Sequence, residues 1–287
     1  MTVIAVALTA CSNISEDERL VYVPPVVDPH AAEVIDDDDP VAIDSVYDAP
    51  VAEVPQRVLI EDHTGQECPN CPDATNMIHE FQQTYGSLIV PVAIHSRAQG
   101  IMEPEGLGTE LGNTYYNRWG LSYKPAGLVN RMDGGGSRVL DKTIWPMAVQ
   151  YALTMNTAFD VRVRAVLDAS DATKAHVDVK VLATRDDASF SGNLQVWVTE
   201  DNIVAMQDSM GVRKPNYVHN HVLRGAVNGD SGEPLSLNGT GDQKEFHYEL
   251  PLKAGWNAAH LSIVAFIYND NQVEQVVSRA VMRGSNQ

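Results

Sequence analysis

Cys68-Pro69-Asn70-Cys71 is the stretch of this 287-residue chain whose residue types and spacing carry the most evident chemistry. Two thiols three residues apart can close on each other as a disulfide. Alternatively, the first can attack a foreign disulfide while the second resolves the mixed species. The pair follows the apolar run Val58-Leu59-Ile60-Glu61 and a polar turn through Gly65, and a helical pattern begins just after it. A cysteine at a helix N-terminus meets free N–H groups and the positive end of the helix dipole, and both favour its thiolate. A histidine close to Cys68, with His63 and His95 as the candidates, would favour the thiolate further, whereas Glu67 and Asp73 would oppose it. A zinc site would need two more ligands, and the chain has no second C-x-x-C. The site is therefore read as free of metal and cofactor, and either exchanging or purely structural.

The elements that must hold this pair follow from the apolar spacing. Val58 to Glu61 reads as a buried strand, and Met77, Ile78, Phe81 and Tyr85 recur at helical intervals up to Gly86. Leu88 to His95 is a second apolar strand, so strand, helix and strand form a parallel crossover unit. A further helix is expected over Thr109 to Trp119. Lys124-Pro125 then leads into the apolar run Ala126-Gly127-Leu128-Val129, and Lys124 would place a positive charge beside the thiols. A last helical pattern over 141–155 puts Ile144, Met147, Ala148, Tyr151 and Met155 on one face.

From residue 157 onward the period changes to two. Val161 and Val163, then Val177, Val179 and Val181, alternate with polar residues, and four later segments continue the strand pattern. This predicts an antiparallel sandwich with Val161, Val163, Val179, Val181, Val196, Val198, Ile263, Ala265, Ile267, Val277 and Val281 in its core. His219 and His221 would share one face if Tyr217 to Arg224 were a strand, a possible two-histidine metal edge. The other reading has His219 and Asn220 bonding to the loops around 200–215 and 225–240.

The charge is lopsided. The chain carries a formal −18, which argues against a nucleic-acid partner. Residues 12–56 hold twelve Asp and Glu against a single Arg, with six prolines and the run Asp36-Asp37-Asp38-Asp39. Such a segment reads as an extended acidic tether. Before it, the apolar stretch Thr2 to Ala10 ends in Leu8-Thr9-Ala10-Cys11. This resembles a bacterial lipoprotein signal, in which the cysteine is lipidated after cleavage. The resemblance implies a protein held to a membrane by acyl chains on Cys11 and exported to a compartment where disulfides persist. The organisation expected is thus signal 1–11, tether 12–56, an α/β domain 57–156 and an all-β domain 157–287.

With strand, C-x-x-C, helix and second strand in that order, residues 57–156 resemble the thioredoxin fold. That resemblance implies three roles. Cys68 would be the attacking thiol and Cys71 the resolving thiol. Pro125 would be a cis-proline shaping the client groove. Asp62, six residues before Cys68, would relay the proton of the second cysteine, with Glu61 as its competitor. Over 57–287 the set Val58 to Pro72, Pro125 to Arg131, His219 to Arg224 and Ile263 to Asn269 resembles the outer-membrane-protein-28-related lipoproteins of Bacteroidetes. This implies an outer-membrane address, on the periplasmic face or the cell surface, for a thioredoxin-like domain followed by a β-sandwich. His63 stands where an aromatic residue is expected, and Lys124 replaces an uncharged residue before the proline.

Two functions follow from these readings. One is an anchored thiol–disulfide oxidoreductase acting on a protein client. The other is a non-enzymatic surface binding or assembly module, in which the Cys68–Cys71 disulfide is a staple and the β-domain carries recognition. Hydrolase signatures such as Gly-x-Ser-x-Gly and His-Glu-x-x-His are missing from the sequence.

Overall fold

The computed structural model describes residues 46–270 and 272–283. Cys11 and most of the acidic tether therefore lie outside the described residues. The fold is mostly β, with mixed and antiparallel sheets. Strand β1 (Val58–Thr64) is buried throughout, and it pairs in parallel with β2 (Ile89–His95). Helix α1 (Cys71–Tyr85) connects them, with Pro72 in its first turn. Helix α2 (Glu110–Arg118) starts at Thr109, whose hydroxyl accepts from the Gly112 amide as an N-cap. Strand β3 (Ala126–Val129) runs antiparallel to β1, and β4 (Leu140–Asp141) extends this edge. Helix α3 (Trp145–Leu153) closes the segment.

The remaining strands are β5 (Phe159–Leu167), β6 (Lys174–Ala183), β7 (Ser189–Glu200), β8 (Ile203–Ser209), β9 (Val212–His219) and β10 (Val222–Ala226). They continue with β11 (Glu233–Asn238), β12 (Gln243–Pro251), β13 (Leu261–Tyr268) and β14 (Val273–Ala280). The nine-stranded sheet runs β14-β13-β7-β10-β2-β1-β3-β4, with β11 also on β7. Residue 156 therefore marks no break in the sheet: β10 lies beside β2 with Val222 opposite Ala93, and it joins β7 on its other edge.

Strand alternation divides the apolar residues among three cores. The sheet β12-β6-β5 covers one face of β7 and β13, and all eleven core positions expected from the period-two pattern lie in that layer. Val58, Ile60 and Val129 face α1 and α3, together with Trp145 and Val149. Leu59, Val92 and Ile94 face the other way, where they meet Tyr115, Trp197 and Phe266. That third core ties the two segments together, and in it Trp197 Nε1 donates to Tyr115 Oη at 2.9 Å.

Three sequence expectations give way here. Helix α3 buries Trp145, Val149 and Ala152 and leaves Ile144, Met147 and Tyr151 exposed. Its sequence is apolar nearly all round, so spacing alone does not select the inward face. Residues 46–56, the end of the acidic stretch, lie against β5 and β6: Tyr47 is buried, and its carbonyl accepts from Arg162 Nη1 at 3.2 Å. The stretch around 200–215, read as loop, belongs to a two-stranded hairpin, β8–β9, closed by Met210 and Gly211 at positive φ.

Candidate functional site

Cys68 and Cys71 are joined as a disulfide. Cys71 opens α1, and Cys68 sits in the turn before it, where its amide donates to the Gly65 carbonyl at 3.1 Å. Gly65 is required here. A β-carbon would lie 2.1 Å from the Gln99 carbonyl oxygen, whose residue in turn accepts from the Glu67 amide at 2.9 Å. Both cysteines are fully buried.

Pro125 follows a cis peptide bond from Lys124. The β1–β3 register sets Ala126 opposite His63, which brings the proline to the end of β1, beside the turn that carries Cys68. The Lys124 side chain does not project toward solvent. Its Nζ donates to the Thr64 carbonyl, to Ser96 Oγ at 2.8 Å and to the Ala98 carbonyl at 2.6 Å. Burial pushes this ammonium down to about 7, with the Asp62 carboxylate opposing.

Alternation along β1 separates its two carboxylates. Glu61 is neutralised inside the protein by Arg131, whose Nε donates to Oε1 at 2.6 Å and whose guanidinium lies 4.4 Å from the Tyr268 ring centroid. Asp62 points to the α1 side. It lines a cavity of about 340 Å³ with Thr75, Ile78 and His79 of α1 and with Tyr217 and His221. Asp62 Oδ1 is buried and has no hydrogen-bond partner. Burial pushes its carboxyl up to about 7, with Lys124 drawing it back. A carboxyl near 7 is poised to give or take a proton at neutral pH.

The histidines do not supply the expected positive charge. Burial drives His63 down to about 3, helped by Lys124 and Arg131, and holds His95 well below its ordinary value. Both rings are neutral at neutral pH, where desolvation penalises the imidazolium. Of the acids expected to oppose the thiolate, Asp73 is bridged by Lys142 at 3.2 Å. His219 and His221 do not form a two-histidine edge, because β9 ends at His219 and His221 turns at φ 57°. His219 is buried edge-on against His95 at 5.4 Å, and His221 pairs with Asp201 at 3.2 Å. Asn220 Oδ1 accepts from the Asn202 amide. Among the described residues, no cluster of His, Cys, Asp or Glu is arranged to hold a metal ion, and no helix is long and apolar enough to cross a membrane.

The sequence did not point to Gln207. It is buried, and its Nε2 lies 3.0 Å from the Cys68 carbonyl and 3.2 Å from that of Gly65. The only sequence signal for this hairpin is Gly211 after a short apolar run from Ile203.

These features define a mostly β protein with an oxidised C-x-x-C pair at a helix N-terminus. The family profile described as outer membrane protein Omp28 matches residues 112–285, more than half of the chain, and the chain belongs to this family. The match begins after the cysteine pair. HBP35 of Porphyromonas gingivalis shares the fold, with a TM-score of 0.63 over 81% of this chain and 78% of that one at 14% identity. A domain of the outer membrane lipoprotein Omp28 from Porphyromonas gingivalis is 27% identical over 45% of this chain and 92% of that chain, with a TM-score of 0.34. No curated protein matches the chain.

Proposed function

We propose that this protein is an outer-membrane lipoprotein, anchored through Cys11, that exchanges disulfides with protein clients through Cys68 and Cys71. The observation that carries the exchange reading is the disulfide at the start of α1, with a buried Asp62 on the α1 side whose Oδ1 has no hydrogen-bond partner. In this reading residues 57–156 act as a thioredoxin-like unit, and the β-domain presents the client. The family's description and the lipoprotein among its similar structures support the outer-membrane address.

From the oxidised pair, a client thiolate attacks Cys68 Sγ. A bond forms between client sulfur and Cys68, the Cys68–Cys71 bond breaks, and Cys71 leaves as a thiolate that takes the proton of neutral Asp62. A second client thiolate then attacks the client sulfur and releases Cys68 as a thiolate, favoured by the end of α1. The client dithiol is oxidised to a disulfide, and the pair gains two electrons. The reverse sequence reduces a client disulfide.

In the reducing direction, serine in place of Cys71 should leave the Cys68 thiolate able to attack a client disulfide and hold the mixed species, visible as a client adduct on non-reducing gels. Serine in place of Cys68 should abolish both turnover and adducts. Unchanged turnover with Cys68→Ser would end the exchange reading.

A second reading is favoured by the burial of both sulfurs. There the disulfide is a staple, and the protein is a binding or assembly module that retains its partner when both cysteines are serine.

A further inference from the structure

Resting on the exchange reading, we infer that the β8–β9 hairpin is a strap over the cysteine pair, and that exchange with a client requires it to lift. The hairpin is inserted between β7 and β10, which pair directly with Glu200 opposite Val222. It does not continue their ladder. Asn202 at φ 58° and His221 at φ 57° turn the chain out of the sheet at its two feet. The feet are clasped by the Asp201–His221 pair and by the Asn202 amide on Asn220 Oδ1.

From these feet the hairpin lies along the cysteine turn. The Asp208 amide donates to the Gln66 carbonyl at 2.7 Å, and the Met210 amide donates to the Pro69 carbonyl at 3.0 Å. Gln66 Nε2 returns a bond to the Met206 carbonyl at 3.1 Å. The Gln207 side-chain Nε2 donates to the carbonyls of Cys68 and Gly65. A register shift between Ala205 and Gln207 bends the hairpin at this point, where β9 carries the extra residue around Pro215-Asn216. Every residue of the turn from Gly65 to Pro69 except Glu67 is thus addressed by the hairpin or buried beside it.

The strap is built to lift. Among the described residues β8 and β9 pair only with each other, and a two-stranded hairpin is marginal alone. It is held to the turn by polar bonds, the only ring it buries is that of His219 at one foot, against His95, and Val204, Met210 and Val212 are exposed. The bonds that close it use backbone carbonyls of the turn, groups that an extended client chain can also engage. With the strap closed, no thiolate reaches Cys68 Sγ, because the sulfur has no exposed surface. Local opening of such a unit costs less than global unfolding.

The test uses the full chain carrying Cys11→Ser, so that only one pair titrates. Amide hydrogen exchange of Asp208 and Met210 should proceed together and at least about a hundredfold faster than that of Val198 in the core. Reduction of the pair by dithiothreitol should become about tenfold faster in Gln207→Ala, which loses the bonds to Cys68 and Gly65. Exchange of Asp208 and Met210 as slow as that of Val198 would overturn the strap, whether or not the variant folds. A folded Gln207→Ala with an unchanged reduction rate would do the same. The equilibrium potential of the pair is a separate readout. A very negative potential in a protein whose strap lifts removes the exchange reading but not the motion, whereas an exchanging potential under a strap that never lifts removes the motion alone.

Discussion

Arg131 Nε donates to Glu61 Oε1 across 2.6 Å in the interior, and this pairing decides which carboxylate of β1 is free to move a proton. Glu61 is held in an ion pair by a guanidinium that is itself packed among Trp119, Trp197, Phe266 and Tyr268. Its neighbour Asp62 faces α1 with one oxygen unpartnered. Breaking a buried ion pair strands a charge, so Glu61→Gln should destabilise the protein by about 3–5 kcal/mol. Urea unfolding monitored by tryptophan fluorescence measures this. A loss below about 1 kcal/mol would contradict the structural role given to the pair.

Asp62 should behave in the opposite way. Its carboxyl rises from the ordinary carboxylate range to about 7 on folding, so the native state binds more protons than the unfolded state between about pH 4 and 7. Its contribution to stability is present below about pH 4 and is lost as the pH rises toward 7. Asp62→Asn removes that loss. The variant should therefore gain stability relative to the parent from pH 4 to pH 7, while exchange at pH 7 slows by about a hundredfold. Denaturation curves at the two pH values and stopped-flow exchange test both halves. A variant less stable than the parent at pH 7 would refute the buried-acid account.

Lys124 links the proline to the turn. Replacing it with Met leaves the Thr64 and Ala98 carbonyls and the Ser96 hydroxyl without this donor. The expected cost is about 1–3 kcal/mol. Loss of the cation should also raise the Asp62 pKa further, since Lys124 opposes the effect of burial. The infrared carboxyl band of Asp62 followed against pH reports this, and a midpoint moving downward would contradict the placement of the charge.

Gly65→Ala should disrupt the turn before Cys68, because the new methyl would meet the Gln99 carbonyl at 2.1 Å. Overpacking of this kind costs about 1–3 kcal/mol. Thermal unfolding of the oxidised protein measures it, and an unchanged Tm would show that the turn can yield.

Much of this arrangement was legible in the sequence where a period could act. The eleven residues from Val161 to Val281 mark one core because ten of them lie on the inward side of a strand and Val281 follows directly on the end of β14. Helix α1 was readable from Met77 to Tyr85 and its glycine stop at Gly86. The hairpin was not, because it packs on backbone carbonyls of the cysteine turn, and carbonyls leave no apolar pattern in the strand that covers them. Gln207 looks like any loop amide until its two acceptors are placed. The inward face of α3 was hidden for the opposite reason, since Ile144, Trp145, Met147 and Val149 are all apolar and only packing selects among them. The neutral state of His63 and His95 likewise comes from burial that no local motif announces.

The central claim is that Cys68 and Cys71 exchange electrons with clients, and their equilibrium reduction potential tests it most directly. The full chain with Cys11→Ser is equilibrated in glutathione or dithiothreitol buffers, and the free thiols are trapped and counted by mass. The account predicts a value in the exchanging range, about −120 to −270 mV. A value below about −300 mV would contradict it and mark the pair as a structural staple.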